Sequence, residues 1–419
     1  MSESYVHSQR VVILVFCLLS LPILLPLVGA SSQWKEDGWL DADWYTKDGR
    51  IAAGDELGCQ GMPKLNLELM PKTTAIECIE YLTDRTNASR WGINPLSFGI
   101  DLVQNPNFDS EDHEALFAEG FGVHGLNTNY EKTAWHDAVD FPINNSDWWN
   151  LGYSGSLEQK ITPLMEIQDL ATQGAMVNLH WQAQIADLKV RTNGELVDWL
   201  ESENAWYTAW GEAYSYEFHR TNDVFNLESN NSKEWYLDNE NIEINSLAWD
   251  VPVTRGIDIR NNSVIEVTVD GFYLNELSVE NKTLDTGWRQ DEDILWITLS
   301  MGQNATILME NESEIDLAPE YCDDVNNIEG CLLQKKPRFF NNHSWALTIA
   351  GHHTTDLFKW SMKFDESPLV FTWLVEPQEV KDFNWVLIII AAGAGIGAVT
   401  YTRHLIERDR DEQSSLESE

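Results

Sequence analysis

The chain has 419 residues, with 68 acidic against 27 basic side chains and a formal net charge of -41. A surface of that sign repels phosphate backbones, which excludes nucleic acid as a partner and disfavours anionic lipid headgroups. Its five cysteines include no CxxC spacing, which argues against a thioredoxin-like site and a paired-cysteine zinc site.

In chain order, the first feature is an apolar run, Val11–Val28, preceded by Arg10 and interrupted by Pro22 and Pro26. Val28-Gly29-Ala30 supplies the small residues that signal cleavage requires. Residues 1–30 therefore read as a signal peptide or, if uncleaved, as an anchor.

Residues 31–221 read as a mixed α+β ectodomain. Ile76, Ile79, Tyr81 and Leu82 space out as one face of a helix. Asp109 caps a second helix, with acids in its first turn. Ser156-Leu-Glu-Gln159 has the form of a capping box for a third. Asn193-Gly194 is a hairpin signal, and the aromatic run from Ala205 to His219 reads as strand. A polar, Asn-rich linker over 222–232 follows. Residues 233–376 then alternate as short strands, with Asp270-Gly271 turning one into the next. Trp345, Leu347 and Ile349 share a face, and Leu369–Val375 is apolar throughout, as a strand covered on both sides would be. The expectation is a mostly-β, sandwich-like second domain.

After a juxtamembrane linker over 377–384, Trp385 to Tyr401 is a run of seventeen residues without Asp, Glu, Lys or Arg. As helix it spans about 25 Å, near the lower limit for a bilayer core. Aromatic rings stand at its two ends, and Arg403, Arg408 and Arg410 follow. These features predict a single C-terminal transmembrane helix over 385–401 and a cytoplasmic tail over 402–419. The expected location is the cell membrane, single-pass, with the large N-terminal part outside and the lipid bilayer as partner of the C-terminal helix. Gly393 and Gly397 form a GxxxG, a pattern for weak self-association.

Cys59, Cys78, Cys322 and Cys331 lie in the exported part, an even number suited to an oxidising compartment; the simplest pairing is Cys59–Cys78 and Cys322–Cys331. Asn-x-Ser/Thr acceptors begin at Asn87, Asn144, Asn230, Asn261, Asn281, Asn304, Asn311 and Asn342, all between the two apolar runs, which predicts a glycosylated outer face.

Chemistry is weakly signalled. No phosphate-binding loop or HExxH occurs, and GYSGS at 152–156 has the wrong spacing for a nucleophile elbow. Asp48-Gly49-x-Ile51 followed by Asp55 matches the second half of a calcium loop, but the first half lacks its acids. His352, His353 and Asp356 are candidate zinc ligands, against a plain polar turn. No cofactor is predicted beyond these calcium or zinc candidates. The 19 tryptophans include Trp148-Trp149 and Trp206–Trp210, candidate stacking platforms for sugar rings. The reading is an acidic, glycosylated surface protein with a binding or structural role, directed at a glycan or another surface protein. The alternative is a tethered extracellular hydrolase acting on glycans or peptides.

Overall fold

The order of strand pairing sets the architecture. The computed structural model describes residues 49–127, 148–157, 162–182, 194–239, 247–312, 337–352 and 364–377, apart from 103, 224, 232, 260 and 365, together with separate positions between 393 and 408. The chain forms two compact units, residues 35–378 and residues 1–34 with 379–419.

In the larger unit, β1 (Glu56–Cys59), β2 (Ser97–Asp101), β3 (Val123–Asn127), β4 (Trp149–Leu151), β5 (Gly155–Ser156), β6 (Met176–Gln182), β7 (Trp206–Tyr207), β16 (Ala346–His352) and β17 (Thr372–Val375) form one sheet. Its order is β4-β3-β2-β1-β17-β16-β6-β5, with β7 beside β16. The pairings are parallel. This is a half-barrel, and its two end strands, β4 and β5, are consecutive in the chain. Helices alternate with the strands: α1 (Arg50–Ala53), α2 (Pro71–Thr83), α3 (Ser110–Ala118), α4 (Leu164–Thr172), α5 (Glu195–Ser202) and α6 (Trp210–Asn222). The α3 start follows the sequence signal, since Asp109 and Asp112 close a capping box.

Two local expectations fail for identifiable reasons. Ser156 lies in β5 instead of capping a helix, and α4 begins later, with Pro163 at its cap position. Gly194, expected in a hairpin turn, is instead the N-cap residue of α5, while Asn193 lies outside the described residues.

The expected mostly-β sandwich over 233–376 does not form. Two antiparallel sheets, β10-β14-β13 and β12-β11-β15-β9-β8, are confined to residues 225–309. Their strands are β8 (Phe225–Asn231), β9 (Glu234–Asn239), β10 (Val253–Asp258), β11 (Val264–Val269), β12 (Phe272–Tyr273), β13 (Gly287–Asp291), β14 (Ile294–Leu299) and β15 (Asn304–Met309). Phe225, Trp235, Leu237, Ile257, Leu295 and Ile297 belong to the apolar cluster between them. β16 and β17, which by pattern continued that domain, instead complete the parallel sheet. Parallel strands with both faces covered have the same apolar run as central sandwich strands, so periodicity cannot separate them. The expected C-terminal transmembrane helix is also not borne out: no helix among the described residues is long and apolar enough to cross a membrane. Of 385–401, positions 393, 396, 397 and 399–401 are described, and all are helical.

The interior of the half-barrel is closed at its amino-terminal end by α6, the segment expected as strand. Glycine occupies the third position of β1, β2 and β3, and two of these glycines are required by close approach. A Cβ on Gly125 would fall 1.9 Å from the Trp210 ring, and one on Gly99 would fall 2.3 Å from Leu374 Cδ1. The vacated space takes Trp210, which is fully buried and donates from Nε1 to Asn178 Oδ1 at 3.0 Å. Ala209, at the N-cap position of α6, makes no side-chain cap. The first amides of the helix are satisfied from the sheet instead: Trp210 N donates to Thr372 Oγ1 and Gly211 N to Glu56 Oε2, each at 2.9 Å. A helix buried on nearly every side loses its polar stripe, which is why this segment lacks the helical signature.

Glu56 is wholly buried and also accepts from Ser97 Oγ at 2.5 Å. Desolvation outweighs these donors and raises its pKa from 4.5 to about 7. The unfolded chain thus releases this proton near pH 4.5 while the folded chain holds it to about 7, so stability falls as pH rises through that window. Glu56→Gln should remove this slope. Relative to the variant, the native protein should lose up to about 3 kcal/mol between acid and mildly alkaline pH. Denaturant unfolding across that range measures it, and parallel profiles for the two proteins would exclude Glu56 as the titrating group.

Candidate functional site

The opposite, carboxyl-terminal end of the parallel strands carries a polar cavity. Its volume is about 170 Å³, and Gln60, Asp101, Gln104, Asn105, Thr74 and Glu376 contribute to its lining. Gln60 directly follows β1, Asp101 ends β2 and Glu376 follows β17, so three neighbouring strands deliver these side chains to one place. Gln60 N donates to Val375 O at 2.9 Å, which sets Gln60 beside the residue preceding Glu376. Gly61 lies against the Glu376 carboxylate: a Cβ there would be 3.5 Å from its Cδ. Asp101 organises the loop after β2, because its carbonyl accepts from Asn105 N at 2.9 Å and from Asn105 Nδ2 at 3.0 Å. The mouth of a parallel sheet is where loops can place polar groups without disturbing the ladder beneath them.

Cys59 and Cys78 form a disulfide joining the last residue of β1 to α2. Thr74 stands one turn before Cys78 on that helix, so the bridge holds a wall of the cavity against its floor. A disulfide across a loop of this length restricts the unfolded chain by roughly 3 kcal/mol in the chain-entropy account.

Beneath the mouth the interior is polar but closed. Asn178 Nδ2 donates to Gly152 O at 2.6 Å, and its Oδ1 also accepts from Thr348 Oγ1 at 3.0 Å. His180 packs edge-on to Tyr153 at 5.0 Å. Burial drives its pKa from 6.5 down to about 3, so the imidazole is neutral.

The other sequence candidates fall elsewhere. Asp55 is fully engaged by protein donors. Oδ1 accepts from Arg50 Nη2 at 2.7 Å and Phe371 N at 2.9 Å, and Oδ2 accepts from Arg50 Nε at 2.9 Å and Trp373 Nε1 at 2.8 Å. Arg50 also donates to the carbonyls of Phe364, Ser367 and Leu369. The pair therefore ties α1 to the segment leading into β17. Asp48, His353, Asp356, Cys322, Cys331 and Asn144 lie outside the described residues. His352 ends β16, in register with Gln182. Among the described residues, no group of three or more His, Cys, Asp and Glu could hold a metal ion. Asn87, Asn261, Asn281, Asn311 and Asn342 are exposed and Asn304 is half-buried, while Asn230 lies in β8. Gly393 and Gly397 are helical with open space around them. Trp149, Trp206 and Trp210 are buried in the core, while Trp148 is half-buried and stacks on the His113 ring.

Sequence reasoning missed Asp101, Glu376 and Gln60. In a chain with 68 acidic residues, nothing local distinguishes two carboxylates that meet only through strand order.

Because Asp55 balances a buried guanidinium, Asp55→Ala should cost about 3–5 kcal/mol of unfolding free energy. Calcium should not raise the thermal midpoint of the native protein; a clear rise, lost in the variant, would make Asp55 a ligand instead.

In comparisons with known proteins, no family model, no curated protein and no solved structure matches this chain.

Proposed function

We propose that the chain is an extracytoplasmic binding protein whose half-barrel mouth takes a neutral, hydroxyl-rich ligand, a saccharide unit. The carrying observation is the lining of the cavity: two carboxylates, Asp101 and Glu376, and the amides of Gln60, Asn66, Gln104 and Asn105, with no basic side chain among the described lining residues. Carboxylates and amides accept and donate to sugar hydroxyls, while the absence of a cation disfavours phosphate or carboxylate ligands. The Cys59–Cys78 bridge supports an oxidising compartment, and the exposed glycosylation acceptors agree with it. The same two carboxylates support one alternative, glycoside hydrolysis, which requires a pair of acids flanking the bond.

The test is calorimetric titration of the protein with mono- and oligosaccharides, followed by a reducing-sugar assay on the same mixtures. Asp101→Asn and Glu376→Gln should each weaken binding about tenfold or more, since each removes charge-assisted hydrogen bonds. Thermal midpoints should stay close to that of the native protein. Saccharide turnover abolished by the same substitutions would replace the binding role with the hydrolase. Binding that ignores both substitutions would overturn the site.

A further inference from the structure

The outward face of the five-stranded antiparallel sheet carries a feature that the half-barrel mouth does not explain. Tyr273, Thr268, Thr306, Tyr236 and Glu228 lie in one cross-strand row over β12, β11, β15, β9 and β8. Tyr273 is 77% and Tyr236 38% exposed, so both rings reach solvent. The residues that alternate with this row, Val267, Ile307 and Trp235, are buried in the apolar cluster behind it. The flanking rows carry Asn226, Asp238 and Asn304 on one side, and Glu234 and Glu266 around Leu308 on the other.

Two aromatic rings set among hydroxyls, amides and carboxylates, with no Lys or Arg in these rows, define a narrow class of occupant. The acids repel anionic polymers and anionic membranes. The Thr, Asn and Glu side chains would be desolvated at a loss under an apolar protein surface. The tyrosines are three strand spacings apart, about 14 Å, which about three pyranose rings in a chain would span. Aromatic faces pack against the C–H face of a pyranose, and the flanking carboxylates and amides take its hydroxyls.

We propose that this face is a second saccharide site, which holds an uncharged polysaccharide strand across the sheet by Tyr273 and Tyr236. It rests on the saccharide reading above but uses none of the residues of the mouth. The experiment is affinity electrophoresis of the whole protein through gels containing laminarin, mannan, dextran or hydroxyethyl cellulose. At least one of these should retard the native protein. Tyr236→Ala and Tyr273→Ala should each weaken that retardation about tenfold, and the double variant should abolish it. Tyr236→Phe, which keeps the ring, should retain it. Asp101→Asn should leave it unchanged, so failure at the mouth and failure at the sheet are read separately. All three positions are checked by thermal midpoint, because two are exposed tyrosines and their removal should leave stability within about 0.5 kcal/mol. No retardation by any of the four polymers, or retardation that survives the double tyrosine variant, would overturn the second site.

Discussion

The entry of α6 into the amino-terminal mouth of the half-barrel is the constraint on which the rest of the unit depends. Trp210 fills the interior left open by Gly125, and its indole N–H is bonded to Asn178. The first amides of the helix are capped by Thr372 and Glu56, residues of β17 and β1 that are remote in sequence. Removing any of these partners would leave a buried donor unsatisfied, at a cost of about 1–3 kcal/mol. One junction therefore fixes the helix start, the strand spacing and the protonation of a buried acid together.

With one end closed, the other end carries the polar cavity. The strands deliver Gln60, Asp101 and Glu376 to the carboxyl end. The Cys59–Cys78 bridge holds that end by fixing α2 to β1, while the Arg50–Asp55 pair, just before β1, fixes α1 to the approach to β17 at the amino-terminal end. In the segment leading into β17, Arg50 donates to the carbonyls of Phe364, Ser367 and Leu369, where a strand neighbour would otherwise do so. The arrangement resembles capping more than packing: polar groups of irregular backbone are satisfied by one planar, five-donor side chain.

The antiparallel sheets are joined to the parallel one by the same kind of contact. Arg255, on β10, is wholly buried, lies over the Phe225 ring and donates to the carbonyls of Arg220 and Asp223 at the end of α6. Burial pushes its pKa down to about 10, still far above neutrality, so the charge persists. Arg289, on β13, donates to both the side chain and the carbonyl of Asn341, just before the chain returns to β16. Both sheets thus belong to one folded body with the half-barrel, although each apolar cluster is separate.

The sequence by itself determined what depends on neighbours along the chain. The Asp109 capping box, the turn at Asp270-Gly271 with both residues at positive φ, and the existence of strands β11, β14 and β15 were legible, because caps, turns and short apolar runs are local. The Cys59–Cys78 pairing was legible from cysteine number and proximity alone. Tertiary structure decided which sheet each strand joined, since β16 and β17 have the same apolar pattern whether they finish a sandwich or a half-barrel. It turned the aromatic run at Trp210 into a plug, because a helix buried on all sides shows no amphipathic period. It also brought Asp101 and Glu376 to one cavity, and Tyr236 and Tyr273 into one cross-strand row, because strand order and register are properties of pairing and are not written in any single strand.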